Sequence, residues 1–184
     1  MTAMNSETLG AEDIAERALQ AYQDDHLDTA AAGFRDAMQS FSSRGDHLKA
    51  AEMANNLCVV LLRLEDPEGA LAAVEDTPEV FAAHGDDQRT AMAYGNLASA
   101  REAGSDLEGA QRAYRQAADL FAEIGDTDSR AHTLKALSQL QLRKGQTMDA
   151  VASMQAGLEG QTGLNFWQRL LRRILRLPYR LLGR

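Results

Sequence analysis

The sequence predicts an all-α fold of helical hairpins repeated with a period of forty, about four in number, followed by a basic amphipathic helix. Three observations predict it. The motif Phe41-Ser42-Ser43-Arg44-Gly45-Asp46 recurs as Phe81-Ala82-Ala83-His84-Gly85-Asp86 and as Phe121-Ala122-Glu123-Ile124-Gly125-Asp126, each copy forty positions after the last without a gap. Alanine is abundant, aromatics make up 5% and only three prolines occur, which favours close-packed helices over sheet. The last twenty residues carry six arginines and no acid, against a chain of net charge −8.

The period holds beyond the motif. Ala11, Ala51, Ala91 and Ala131 form one series, and Ala30, Ala70, Ala110 and Ala150 another. Ala18, Cys58, Ala98 and Ser138 are all small, and Leu57, Leu97 and Leu137 coincide. Two antiparallel helices joined by a short turn approach closest where neither carries bulk, so the small series marks the contact within each hairpin. A single hairpin cannot bury its apolar face alone, so the units must stack. These series divide the chain into a disordered N-terminus over 1–10, an array over 11–160 (units 11–50, 51–90, 91–130 and 131–160), a linker over 161–164 and a tail helix over 165–184.

Element by element, the first unit is degenerate: Glu16 and Arg17 replace the Asn-Leu of later units, which suits a polar cap. In the second, Pro78 falls within the second helix. Thr77 is expected to cap a new helix with Pro78 at its first position, so a kink or break is predicted. In the third, Met92, Tyr94, Leu97 and Ala98 give an apolar stripe, Gly104-Ser105-Asp106 breaks the helix, and Leu107 to Ile124 forms the second helix. Gly125 suits a left-handed helix end, and Asp126 suits the cap of the helix that follows. The fourth loses the pattern at Gly157, Gly160 and Gly163.

The small, small, aromatic, Ala spacing of Ala98, Ala110, Tyr114 and Ala117 resembles the tetratricopeptide repeat. The usual unit of that repeat is about 34 residues, and the unit here is longer. With Glu123-Ile124-Gly125-Asp126 between units and Tyr94-Gly95-Asn96-Leu97 on a first helix, it is similar to the 40-residue variant found in peptide-binding adaptor proteins. The resemblance implies that the first helix of each unit lines a concave groove. It places Asn55, Asn56, Arg63, Asn96, Ser99, His132, Lys135, Gln139 and Arg143 there, with Tyr22, Val59, Leu62 and Leu142. Asparagine carries both donor and acceptor and suits gripping a peptide backbone. The same residues also fit a merely solvated polar face, and that alternative stays open. His132, Lys135, Arg143 and Lys144 give one end of the groove a basic character that suits an acidic segment or a free carboxylate.

No chemistry of catalysis is legible. Asp24-Asp25-His26-Leu27-Asp28 lacks the spacing and glycine of a calcium loop and falls on a predicted turn. His84-Gly85-Asp86-Asp87 and Arg44-Gly45-Asp46 fall on the loops between units. Cys58, the one cysteine, belongs to the buried small series, and a reactive thiolate needs an exposed, electropositive setting. No phosphate loop, nucleophile elbow or dinucleotide fingerprint is present. The expectation is a protein that is no enzyme and needs no metal or cofactor.

In the tail, Trp167, Leu170, Leu171, Ile174, Leu177 and Leu181 follow helical spacing, with Arg169, Arg173, Arg176, Arg180 and Arg184 opposite and Pro178 as a bend. Phe166 to Leu177 makes about 18 Å of helix, too short to cross a core of about 30 Å. Two readings stand: a helix lying on an anionic membrane through Phe166, Trp167, Arg169, Leu170, Arg173, Ile174, Arg176 and Arg180, or one that caps the array or mediates self-association. Without the tail the chain holds 13 basic and 27 acidic residues, a net of −14 that repels nucleic acid. The N-terminus lacks a secretory pattern, so the expected setting is cytoplasmic, at or near the inner membrane surface, with a protein or peptide partner.

Overall fold

The structure, a computed structural model, describes residues 10–159. These form nine helices and no strand: α1 (Ala11–Gln23), α2 (Leu27–Ser43), α3 (His47–Arg63), α4 (Pro67–Val74), α5 (Thr77–Ala83), α6 (Asp87–Ala103), α7 (Leu107–Glu123), α8 (Thr127–Arg143) and α9 (Thr147–Leu158). They pair as hairpins, α1 with α2, α3 with α4 and α5, α6 with α7, and α8 with α9. The helices α3, α6 and α8 begin at His47, Asp87 and Thr127, so their starts keep the period of the sequence motif. Two compact units result: the first ends at Asp86 and the second begins at Asp87.

The Phe-to-Asp motif explains how each hairpin ends. The rings of Phe41, Phe81 and Phe121 are buried. Their carbonyls accept the backbone N–H of Asp46, Asp86 and Asp126 at 2.9, 3.1 and 2.9 Å. That bond spans a residue of positive φ, and Gly125 (φ 76°) supplies it without steric cost. The carboxylates of Asp46 and Asp126 then accept the N–H of Lys49 and Ser129, capping α3 and α8. One motif thus stops a helix, buries an anchor and starts the next helix. The turns inside the hairpins repeat the geometry with Asp25, Glu65 and Ser105 at φ 63°, 59° and 68°. After them Asp66 and Asp106 cap α4 and α7 through the N–H of Gly69 and Gly109.

The small-residue series forms the contact within each hairpin. Ala30, Ala70, Ala110 and Ala150 are at most 1% exposed, and Ala18, Cys58, Ala98 and Ser138 at most 2%. In the first unit α2 comes so close to α1 that a Cβ on Gly33 would lie 2.8 Å from that of Ala18. In the second unit Ala91, Ala117 and Phe121 form a core cluster, with Tyr94 and Leu120 against it. Ser138 is buried too, and its hydroxyl donates to the Ala150 carbonyl at 2.8 Å.

Three local expectations are corrected. The second hairpin's outer helix breaks as predicted, but Thr77 is its first residue and not its cap. The cap position is Asp76, with no side-chain bond, while the Thr77 hydroxyl lies 3.1 Å from both the Val74 carbonyl and Asn55 Oδ1. Met92 does not join the buried stripe of α6: it is 52% exposed, because a helix of alanines buries a narrow face. Finally, α7 ends at Glu123, with Ile124 as its cap. The tail helix expected over 165–184 lies outside the described residues. No described helix is long and apolar enough to cross a membrane.

Candidate functional site

In the second unit α6 and α8 stand side by side over α7 and enclose a cleft of about 370 Å³. Tyr114 and Phe121 of α7 form its floor, Met92, Asn96 and Ser99 of α6 one wall, and His132, Thr133 and Ala136 of α8 the other. Gly95 keeps the cleft open: a Cβ there would meet nothing within 4 Å, so any side chain at this point would project into free space. The matching places in α3 and α8 hold Asn55 and Lys135.

A polar chain closes one end. The Ser99 hydroxyl donates to the Gly95 carbonyl at 3.0 Å and lies 3.2 Å from the Tyr114 hydroxyl. Tyr114 in turn donates to Glu102 Oε2 at 2.8 Å, and Glu102 Oε1 accepts from Arg143. Burial, and after it the Glu102 carboxylate, pushes the Tyr114 phenol well above its usual pKa, so it stays a donor. The chain ties α6 to the floor and α8 to α6, and Asn96, Ser129, His132 and Thr133 are the further polar residues that line the cleft.

The sequence-predicted residues separate into three groups. Asn96, Ser99 and His132 come together on this cleft. Lys135 and Gln139 are exposed on the same face of α8, at helical spacing from His132 and Arg143. Arg63 and Arg143 brace a first helix against the hairpin before it: Arg63 pairs with Asp25, in the turn after α1, at 2.5 Å and sits 5.4 Å from the Tyr22 ring centre, while Arg143 pairs with Glu102 of α6. Lys144, also read as part of a basic end, is largely buried and pairs with Glu108 at 2.8 Å. In the first unit Asn56 is exposed on α3, whereas Asn55 is half-buried against Thr77. Tyr22, Val59 and Leu62 are half-buried and Leu142 is exposed.

Sequence reasoning did not name Glu102 or the hydroxyl of Tyr114. The signal for Glu102 was available, because it takes the place of Tyr22, Leu62 and Leu142 in the repeat register. Among the described residues no group of three or more His, Cys, Asp or Glu is placed to hold a metal ion. The residues expected to meet a membrane, Phe166, Trp167, Arg169, Leu170, Arg173, Ile174, Arg176 and Arg180, lie outside the described residues.

Fold and cleft together define a tetratricopeptide-type helical repeat protein. The sequence profile of the family described as soluble NSF attachment protein, SNAP, matches residues 59–156, over half of the chain, and the chain belongs to that family. No curated protein matches the sequence. Among solved structures, BtubC (BKLC) from P. vanneervenii superposes with a TM-score of 0.72 at 20% identity, covering 84% of this chain and 66% of that one. The chain therefore spans just under two thirds of BtubC. A chain of nearly identical TPR-like repeats from Podosopora anserina gives 0.73 at 14% identity, covering 94% and 86%. MamA 41-end from Desulfovibrio magneticus RS-1 gives 0.65 at 22% identity, covering 83% and 76%. At such identities the likeness is one of fold.

Proposed function

We propose that the chain is a scaffold that binds a segment of a partner protein along the first helices of its hairpins and catalyses no reaction. The observation that carries this reading is the cleft between α6 and α8, open at Gly95, floored by two aromatic rings and bordered by Asn96 and His132. An apolar floor supplies burial, and a few placed polar groups fix a bound backbone. The family name, which speaks of attachment, supports a binding role. The recurring starts of α3, α6 and α8 support reading the repeat as the 40-residue adaptor variant. Asn56 and Asn96, at matching positions, are the backbone-gripping groups.

A photoreactive residue placed at Met92, on the cleft, and another at Ala122, exposed on α7, test the proposal. Crosslinking to a partner segment from Met92 alone supports it, and equal capture from Ala122 overturns it. For a captured segment, Asn96→Ala weakens binding by about fivefold, the worth of one hydrogen bond of ~1 kcal/mol. Unchanged affinity removes Asn96 from the site.

In the same reading residues 165–184 hold the scaffold at an anionic membrane surface facing the cytoplasm, their arginines adding about 1 kcal/mol each near the lipid. The support is their sequence pattern of six arginines around an apolar stripe. Co-sedimentation with anionic vesicles is expected for the full chain and not for a version ending at Gly163. Equal binding by both overturns it, and no binding by either favours a tail that caps the array or joins copies.

A further inference from the structure

A second cleft, larger than the first and on a different set of helices, lies in the first unit. It measures about 620 Å³ and is enclosed by α2, α3 and α5. Ala50, Ala51 and Ala54 of α3 form its floor, and Met38 and Val80 stand on its sides. The repeat register explains why it is open. Position 54 is Ala where Tyr94 and Leu134 stand in the later hairpins, and position 50 is Ala where they have Thr90 and Arg130. In the last hairpin Arg130 reaches across the matching place to the Ala156 carbonyl at 3.4 Å. The interruption between α4 and α5 also brings Asp76 and Thr77 to the mouth in place of a continuous helix.

We propose that residues 1–9 of this chain fill the cleft. The described chain starts at Gly10, and the first turn of α1 is tied beside the cleft. Glu12 pairs with Arg44 and with Lys49, each at 3.2 Å. Arg44 follows Ser43 and Lys49 precedes Ala50, and both Ser43 and Ala50 line the cleft. Nine residues reach up to about 30 Å when extended, more than the roughly 20 Å across two packed helices. The segment supplies Met1, Met4 and Leu9, and flexible methionine suits an irregular apolar gap. Its one acid, Glu7, can pair with Arg35 on a rim that also carries His47 and Asp76, and Arg35 has no ion-pair partner among the described residues. The occupant belongs to the same chain, so any external partner for this face must displace it.

The full chain tests this with a nitroxide on Met4→Cys in a Cys58→Ala background. The methyl signals of Met38 and Val80 are compared with the label oxidised and reduced. The expected result is at least a twofold loss of both signals, reversed when Ala54→Tyr fills the cleft. Met38→Glu, read at Val80 alone, gives the same reversal without added bulk and stands in if Ala54→Tyr does not fold by circular dichroism. Unchanged signals overturn the proposal, as does a loss that persists in the filled variant. A loss seen when spin-labelled chain is mixed with separately isotope-labelled chain also overturns it, because the segment then docks between copies.

Discussion

The outer helix of the second hairpin and that of the third occupy the same register and differ in continuity. Between Leu107 and Glu123, α7 runs unbroken, with Ala117 and Ala118 buried. The same stretch of the second hairpin stops at Val74 and restarts at Thr77. The difference comes from two residues. Pro78 lacks the N–H that a continuous helix would bond to the carbonyl four residues back, and its ring would clash with that carbonyl. Thr77 turns its hydroxyl onto the Val74 carbonyl and Asn55 instead. A repeat register is thus a list of anchor points, and the backbone between them is free to change where the anchors hold.

Equal anchoring is the claim most easily broken. Phe81 and Phe121 are 1% and 4% exposed at matching positions. Truncating either to Ala should cost about 3–5 kcal/mol in chemical denaturation. A much smaller loss for Phe81→Ala would mean that α5 is not held by its anchor. Ala110→Leu should cost about 1–3 kcal/mol by overpacking α6 against α7. Ala70→Leu is expected at the lower end of that range, because α4 has only eight residues and can shift as a piece. A larger cost for Ala70→Leu would argue that the break gives α4 no freedom. Thr77→Val keeps the volume and removes the hydroxyl, for a loss of about 1 kcal/mol by the same measurement. No loss would leave Pro78 as the sole cause of the break.

The smallest effect lies at the first turn of α1. A hydrogen bond from its own backbone, then those from Arg44 and Lys49, lower the Glu12 carboxyl from 4.5 to about 2. A carboxyl depressed on folding stabilises above its unfolded pKa, and that contribution fades as pH falls toward the folded value. Glu12→Gln should therefore flatten the decline of the urea midpoint between about pH 4.5 and about 2. The group is exposed, so salt should reduce the difference. An unaltered slope would remove these contacts from the solution structure.

Much of the fold was legible because its anchors are local and periodic. The alanine series, the left-handed glycines and the Asp caps each follow from residues close in sequence. The site was legible only in part. Asn96, Ser99 and His132 could be placed on one face because first-helix positions recur, and the structure sets them on one cleft. The roles of Arg63 and Arg143 were not, since their partners Asp25 and Glu102 lie 38 and 41 residues away. An arginine on a predicted groove and an arginine bracing two helices have the same local sequence. Lys144 was misplaced for the same reason, its partner Glu108 belonging to another hairpin. The break at Pro78 was visible, but the preference of Thr77 for Asn55 over the cap depends on α3 packing alongside.

Cys58 is fully buried on α3, and burial pushes its thiol up to about 12. At neutral pH almost none of it is thiolate, and a reagent reaches it only when the helices around it part. The chain thus carries its own clock. The rate at which a disulfide reagent consumes this sulfur, divided by the rate for an open thiol, gives the fraction of time the second hairpin spends open. With one cysteine in the sequence, that reading belongs to this hairpin alone.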